Sequence, residues 1–213
     1  MAVVATACTR APVATAPAPA PTTTASTTST TTTGVTTTAP APAAVTIAYR
    51  LENHAGLAGF EAVVDETLHD ARGWGRAGFR FVRDDSAGAP YRIVLGEPDE
   101  VQALCRPYDV FRTYSCQLGP VVALNAERWR HATPQWTGDL DAYRRMLVDH
   151  EVGHLLGLKH PPDPCPVRGH PARVMAQQST ELRGCVPNPW PLTDEVARAA
   201  RHDLPLAPGY ERP

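Results

Sequence analysis

The chain has almost no lysine. Of its 20 basic residues only Lys159 is one, and 22 acidic residues leave a formal net charge of −2. No basic stripe marks any segment, which speaks against a nucleic-acid partner. Long apolar runs are missing too. No stretch of 18 or more apolar residues occurs, so no membrane-spanning helix is encoded. No two cysteines stand in CxxC spacing, which argues against a cysteine-based zinc site. No internal repeat is present.

What is there divides sharply. Over 213 residues, 43% hydrophobic and 20% charged residues fit a globular chain, with an unusual 22 prolines. The Ala, Arg and Pro bias reflects a GC-rich genome more than a function. Residues 9–44 are a different material: 14 Thr, 10 Ala and 6 Pro in 36 residues, with Arg10 the only charge. Such a segment cannot bury enough surface to offset the entropy of ordering it. It reads as a disordered Thr/Pro/Ala-rich linker, either a stalk that holds an exported domain away from a membrane or wall or a plain spacer. Residues 1–8 (MAVVATAC) have no basic residue and a short apolar run, less than a secretory signal needs. They read as a signal remnant or as the end of a signal that starts upstream, and Ala5-Thr6-Ala7-Cys8 resembles a lipoprotein cleavage site. A secreted or envelope-associated location follows. Residues 45–213 have the composition of one folded domain, enough to bury about 70% of the surface of the unfolded chain.

Within that domain the periodicity predicts a strand at Val45–Leu51, a helix at Phe60–Arg72 ended by Gly73 and Gly75, and strands at Phe79–Val82 and Tyr91–Leu95. A short helix over Pro98–Leu104 follows. Phe111–Cys116 and Val121–Asn125 read as a hairpin around Gln117-Leu118-Gly119. A long helix runs through Leu140, Tyr143, Leu147, Val152 and Leu155, capped by Asp139 or Thr137. The chain after Gly157 is Pro-rich and irregular until Thr193 opens a final helix through Leu204. This order gives an α+β architecture with an α/β-like layer.

One segment carries chemistry: His150-Glu151-Val152-Gly153-His154-Leu155-Leu156-Gly157-Leu158-Lys159-His160. Histidines at i and i+4 share a helix face with Cβ atoms about 5–6 Å apart. Both imidazoles can then reach one Zn²⁺ at about 2.0–2.1 Å. Gly157, three residues past His154, can take positive φ and end the helix. His160 can then return as third ligand, leaving one position open, as catalytic zinc sites do. A chance match at five fixed positions is on the order of 10⁻⁴. Zn²⁺ would bring its water toward a pKa of about 7, and Glu151 would serve as general base. Tyr143 and His170 are candidates for an oxyanion donor, and His170 is also an alternative ligand to His160. Trp129, Trp136 and Trp190 belong to the core or to a cleft.

The segment resembles the extended zinc signature of the metzincin metalloproteases. The stretch from His150 to Asn188, with VMAQQ and GCVPN, is similar to a family of exported actinobacterial metzincin-like domains. Pro161 after His160 is similar to the serralysin branch, but no Gly/Asp-rich calcium repeats accompany it, and no tyrosine stands just after Met175 as a candidate fifth ligand. The resemblance implies a zincin domain: a twisted mixed sheet, an active-site helix and an irregular C-terminal subdomain. It places Met175 in a methionine turn below one zinc ion. It also implies an antiparallel edge strand that pairs with extended substrate, for which Arg112, Thr113 and Tyr114 are candidates, as against a solvent-facing hairpin.

Cys105, Cys116, Cys165 and Cys185 form an even set with three connectivities. The local pairs Cys105–Cys116 and Cys165–Cys185 are favoured, which points to an oxidising compartment. The function expected is an exported zinc endopeptidase, monomeric, acting on a peptide or protein. The alternatives are a non-peptidase zinc amidase acting on cell-wall material and a zinc-binding envelope module. Glu151 weighs against the module, because metal binding alone needs no such carboxylate.

Overall fold

The computed structural model describes residues 45–206. The expected signal remnant, Cys8 and the Thr/Pro/Ala-rich linker lie outside the described residues. The elements run β1 (Val45–Asn53), α1 (Phe60–His69), a 3-10 turn (Trp74–Ala77), β2 (Phe79–Arg83), β3 (Tyr91–Gly96), α2 (Pro98–Leu104), β4 (Cys116–Leu118), β5 (Val121–Asn125), α3 (Ala126–His131), α4 (Leu140–Leu155) and α5 (Thr193–Ala199). It is a mixed α/β fold.

The five strands form one sheet in the order β2-β1-β3-β5-β4. Four run parallel, with Ile47 opposite Phe81, Tyr49 opposite Tyr91 and Ile93 opposite Val122. β4 is antiparallel to β5, with Cys116 opposite Ala123, and forms an edge. Successive strand residues face opposite sides of a sheet. Val122 and Leu124 accordingly join the main core, with Phe60, Trp129, Met146, Val152 and Met175. Ala123 faces a smaller cluster with Val101, Cys105 and Val110 beneath α2. The Cys105–Cys116 disulfide ties α2 to β4 across that second layer.

Several elements differ from the sequence expectation. The strand expected from Phe111 begins only at Cys116. Phe111 and Arg112 have φ of 55° and 53°, and the Val110 carbonyl accepts from both Thr113 and Tyr114. Arg112, Thr113 and Tyr114 are therefore not strand residues: the local backbone turns where the hairpin was expected to extend. Gln117 and Leu118 lie in β4, and the reversal falls at Gly119, with φ of 55°. α3 was not expected, being too short at six residues to show a period. Asn125 caps it, accepting from the Glu127 and Arg128 amides. α1 stops at His69, and α5 stops at Ala199 with Leu192, not Thr193, as its N-cap.

α4 is the element that positions the chemistry. Asp139 caps its start by accepting from the Ala142 amide. Its end is a Schellman motif: Leu158 donates to the Gly153 carbonyl at 3.0 Å and Gly157 to His154 at 2.9 Å, with Gly157 at φ 92°. A Cβ at residue 157 would also stand 2.7 Å from Leu204 Cβ and from the Pro205 carbonyl oxygen. Gly157 is thus required both by its backbone angle and by the close approach of the C-terminal strap.

A candidate metal centre

The turn at Gly157 brings His160 back over α4. The Nε2 atoms of His154 and His160 stand 3.1 Å apart, and those of His160 and His150 stand 3.2 Å apart. Tetrahedral ligands at about 2.0–2.1 Å from one zinc ion stand roughly 3.4 Å from each other. The spacing is close to that value, and this triad could hold a metal ion.

The other ring nitrogens explain why the Nε2 atoms face inward. His150 Nδ1 lies 2.8 Å from the Val174 carbonyl and His154 Nδ1 lies 2.9 Å from the Leu158 carbonyl. A carbonyl only accepts, so each Nδ1 carries the proton and each Nε2 presents a lone pair. Converging lone pairs repel unless a cation sits among them, so the donor set fits a metal.

Charge state agrees. Burial pushes the His150 pKa down to about 3 and the neighbouring imidazoles add to the fall. Burial also takes His154 down to about 4, and lowers His160. Neutral imidazole is the form that ligates. Exposure rises from buried His150 through His154 to exposed His160, so the centre opens to solvent on the His160 side. A small open pocket adjoins that opening, lined by His160, Pro161, Pro164, Ala176, Gln177 and Arg183, among others.

Glu151 is only 5% exposed, and burial raises its pKa to about 8. It makes no hydrogen bond or ion pair among the described residues. Asp149, on the other side of His150 in the chain, is fully buried, and neither carboxylate oxygen has a hydrogen-bond partner among the described residues. Its pKa is driven well up by burial, then by Asp70 and Glu195.

Met175 is buried on a turn closed by the Ala176 amide donating to Arg173. Its sulfur lies against Gly153 of α4. The irregular segment around it is held by side-chain amides. Gln178 donates to the Asn188 carbonyl and accepts from the Asn188 amide, while Asn188 donates to Ala172 and Trp190. A disulfide joins Cys165 and Cys185 across the same segment.

Two expected candidates stand elsewhere. Tyr143 is fully buried and shares a hydrogen bond with Ser179 Oγ at 2.9 Å, so it packs rather than reaching the opening. His170 is exposed and is not part of the triad. Trp129 and Trp136 pack in the core against Phe60 and Tyr143. Trp190 is half-buried beneath the Arg72 guanidinium, 4.2 Å from the ring centroid. Glu195 and Gly153 were not singled out from the sequence. Glu195 showed only as an early acid of a short helix, and Gly153 only as a filler position between the histidines.

Fold and site together define a mixed α/β protein with a three-histidine centre able to hold one metal ion. Residues 22–192 match the family described as "Protein of unknown function (DUF3152)", and the chain belongs to that family. No curated protein matches the chain. Among solved structures it is similar to one titled "Structure of myroilysin", at 17% identity and a TM-score of 0.36. That likeness covers 56% of this chain and 50% of the other, so the chain spans half the length of the structure it matches.

Proposed function

We propose that the protein is an exported zinc-dependent endopeptidase of metzincin type, with His150, His154 and His160 as metal ligands and Glu151 as general base. The observation that carries this reading is the convergence of three Nε2 atoms, two of which, on His150 and His154, are fixed as lone-pair donors by their Nδ1 partners. A zinc ion bound there supplies a Lewis acid for a carbonyl oxygen and acidifies water.

The chain's own residues do the rest. Glu151 favours an enzyme over a metal store. Metal binding alone needs no carboxylate beside its ligands. As a carboxylate Glu151 can accept a proton from water and return it to a leaving amine. β4, the antiparallel edge strand, is the element that would pair with an extended peptide, in place of Arg112–Tyr114. Met175 supports α4 from below through Gly153. Among the described residues no helix is long and apolar enough to cross a membrane, and the two disulfides favour an oxidising, extracellular setting.

The test is cleavage of a broad peptide library by native protein, by chelated protein and by Glu151→Ala. The expected result is cleavage by the native protein alone, restored to the chelated sample by zinc. Zinc binding without any cleavage that Glu151→Ala abolishes would overturn the peptidase reading. It would leave a cell-wall amidase or a binding module, which cell-wall fragments as substrate would then separate.

A further inference from the structure

Glu195 lies outside the zinc signature, on α5, and is 5% exposed. No cationic side chain pairs with it among the described residues. Three backbone amides do. Leu192 donates to Oε2 at 2.8 Å, Val174 to Oε2 at 3.0 Å and Met175 to Oε1 at 2.8 Å. The first of these is the usual reach of a third-position carboxylate back to its own helix start. The other two belong to the turn beside the metal centre and are not needed to cap α5.

The amide joining Val174 to Met175 is bonded at both ends. Its N–H donates to Glu195, and its C=O accepts from His150 Nδ1 at 2.8 Å. The peptide unit is planar and stiff, so fixing one end fixes the direction of the other. Bonds at the two ends also polarise each other, making the carbonyl a stronger acceptor. Partners of this kind, one step behind a histidine ligand, set its tautomer, ring orientation and basicity.

We propose that Glu195 is a positioning residue of the metal centre, acting through the Val174–Met175 amide to hold His150 in its Nδ1–H tautomer with Nε2 turned to His154 and His160. Its effect on metal affinity rests on the metal reading above; its effect on the His150 tautomer does not.

The test uses the full chain. Glu195→Gln keeps the size of the side chain but cannot accept at all three amides. Glu195→Asp keeps the charge but is one methylene too short to span them. Val196→Ala is the control: Val196 is buried in the core on the same helix, and its truncation loosens α5 while leaving the carboxylate in place. Histidine ¹⁵N spectra of metal-free protein read the tautomer, and zinc competition against a chelating dye reads affinity.

Wild-type protein is expected to show His150 protonated at Nδ1. Both Glu195 variants are expected to mix in the Nε2–H form and to weaken zinc about 10–100-fold, with Val196→Ala near wild type on both counts. A wild-type tautomer in both Glu195 variants, or an equal loss in Val196→Ala, would overturn the proposal. A wild-type protein that binds no zinc would overturn the metal reading, and the spectra would still decide whether Glu195 sets the tautomer.

Discussion

Met175 lies against Gly153 so closely that a Cβ at residue 153 would overlap its sulfur, and that Cβ would stand 2.9 Å from the Trp74 ring. Glycine inside a helix ordinarily costs about 1 kcal/mol relative to alanine. Here the packing requires it. Gly153→Ala is therefore expected to destabilise the fold by about 1–3 kcal/mol, the usual cost of overpacking, although helix propensity alone favours it. In a Met175→Ala background the same change should cost less than in wild type, because the two side chains compete for one space. Urea unfolding of the single and double variants checks this. A Gly153→Ala protein more stable than wild type would mean that the contact is slack.

Gly157→Ala tests the helix end. The residue must keep φ of 92° and would meet Leu204 and Pro205. Strain of roughly 1–3 kcal/mol is expected. His160 hangs from this turn, so zinc affinity should fall with stability. Thermal unfolding and zinc titration of the same sample check both.

Glu52 gives a pH dependence away from the centre. It accepts from Arg50 at 2.7 Å and from Arg92 at 2.8 Å, two arginines opposed across β1 and β3. The Arg92 contact, followed by that of Arg50, holds its pKa down to about 2. A depressed folded-state pKa gives stability that is present above the unfolded value and lost as pH falls through the folded one. The window is from about 4.5 down to about 2. Glu52→Gln should cost about 1 kcal/mol near neutral pH, since the partly exposed site is screened by solvent. The gap from wild type should close across that window. Denaturant midpoints measured from pH 7 to pH 2 check it, and a gap that stays constant would contradict the assignment.

Breaking the Cys165–Cys185 bond by a paired serine substitution frees the segment that carries Met175. The bond spans a sequence separation of 20. A loop of that size corresponds to about 3 kcal/mol in the chain-entropy model. Denaturation of the variant beside the wild type reads the loss, and proteolysis is expected to nick between residues 165 and 185 first.

How much of this was legible in the sequence depends on the range of the interaction. His150, His154, Gly157 and His160 were readable because helix period and glycine φ are local rules, and the cysteine pairs because short loops close easily. Tyr91–Leu95 and Val121–Asn125 read as strands because they are short apolar runs with β-branched residues, bounded by turn signals. What failed was local geometry without a pattern. Arg112–Tyr114 looks extended by residue type, yet Phe111 and Arg112 adopt positive φ where tertiary contacts over-determine the turn. Glu195 was invisible as a partner of Val174 and Met175 because about 20 residues of irregular chain separate them, and no periodicity links the two ends.

The central claim is most directly tested by zinc stoichiometry in a calorimetric titration of the purified chain, beside His154→Ala. The account predicts one zinc per wild-type chain and none bound with comparable affinity by the variant. Binding that survives His154→Ala unchanged, or no binding by the wild type, would contradict it.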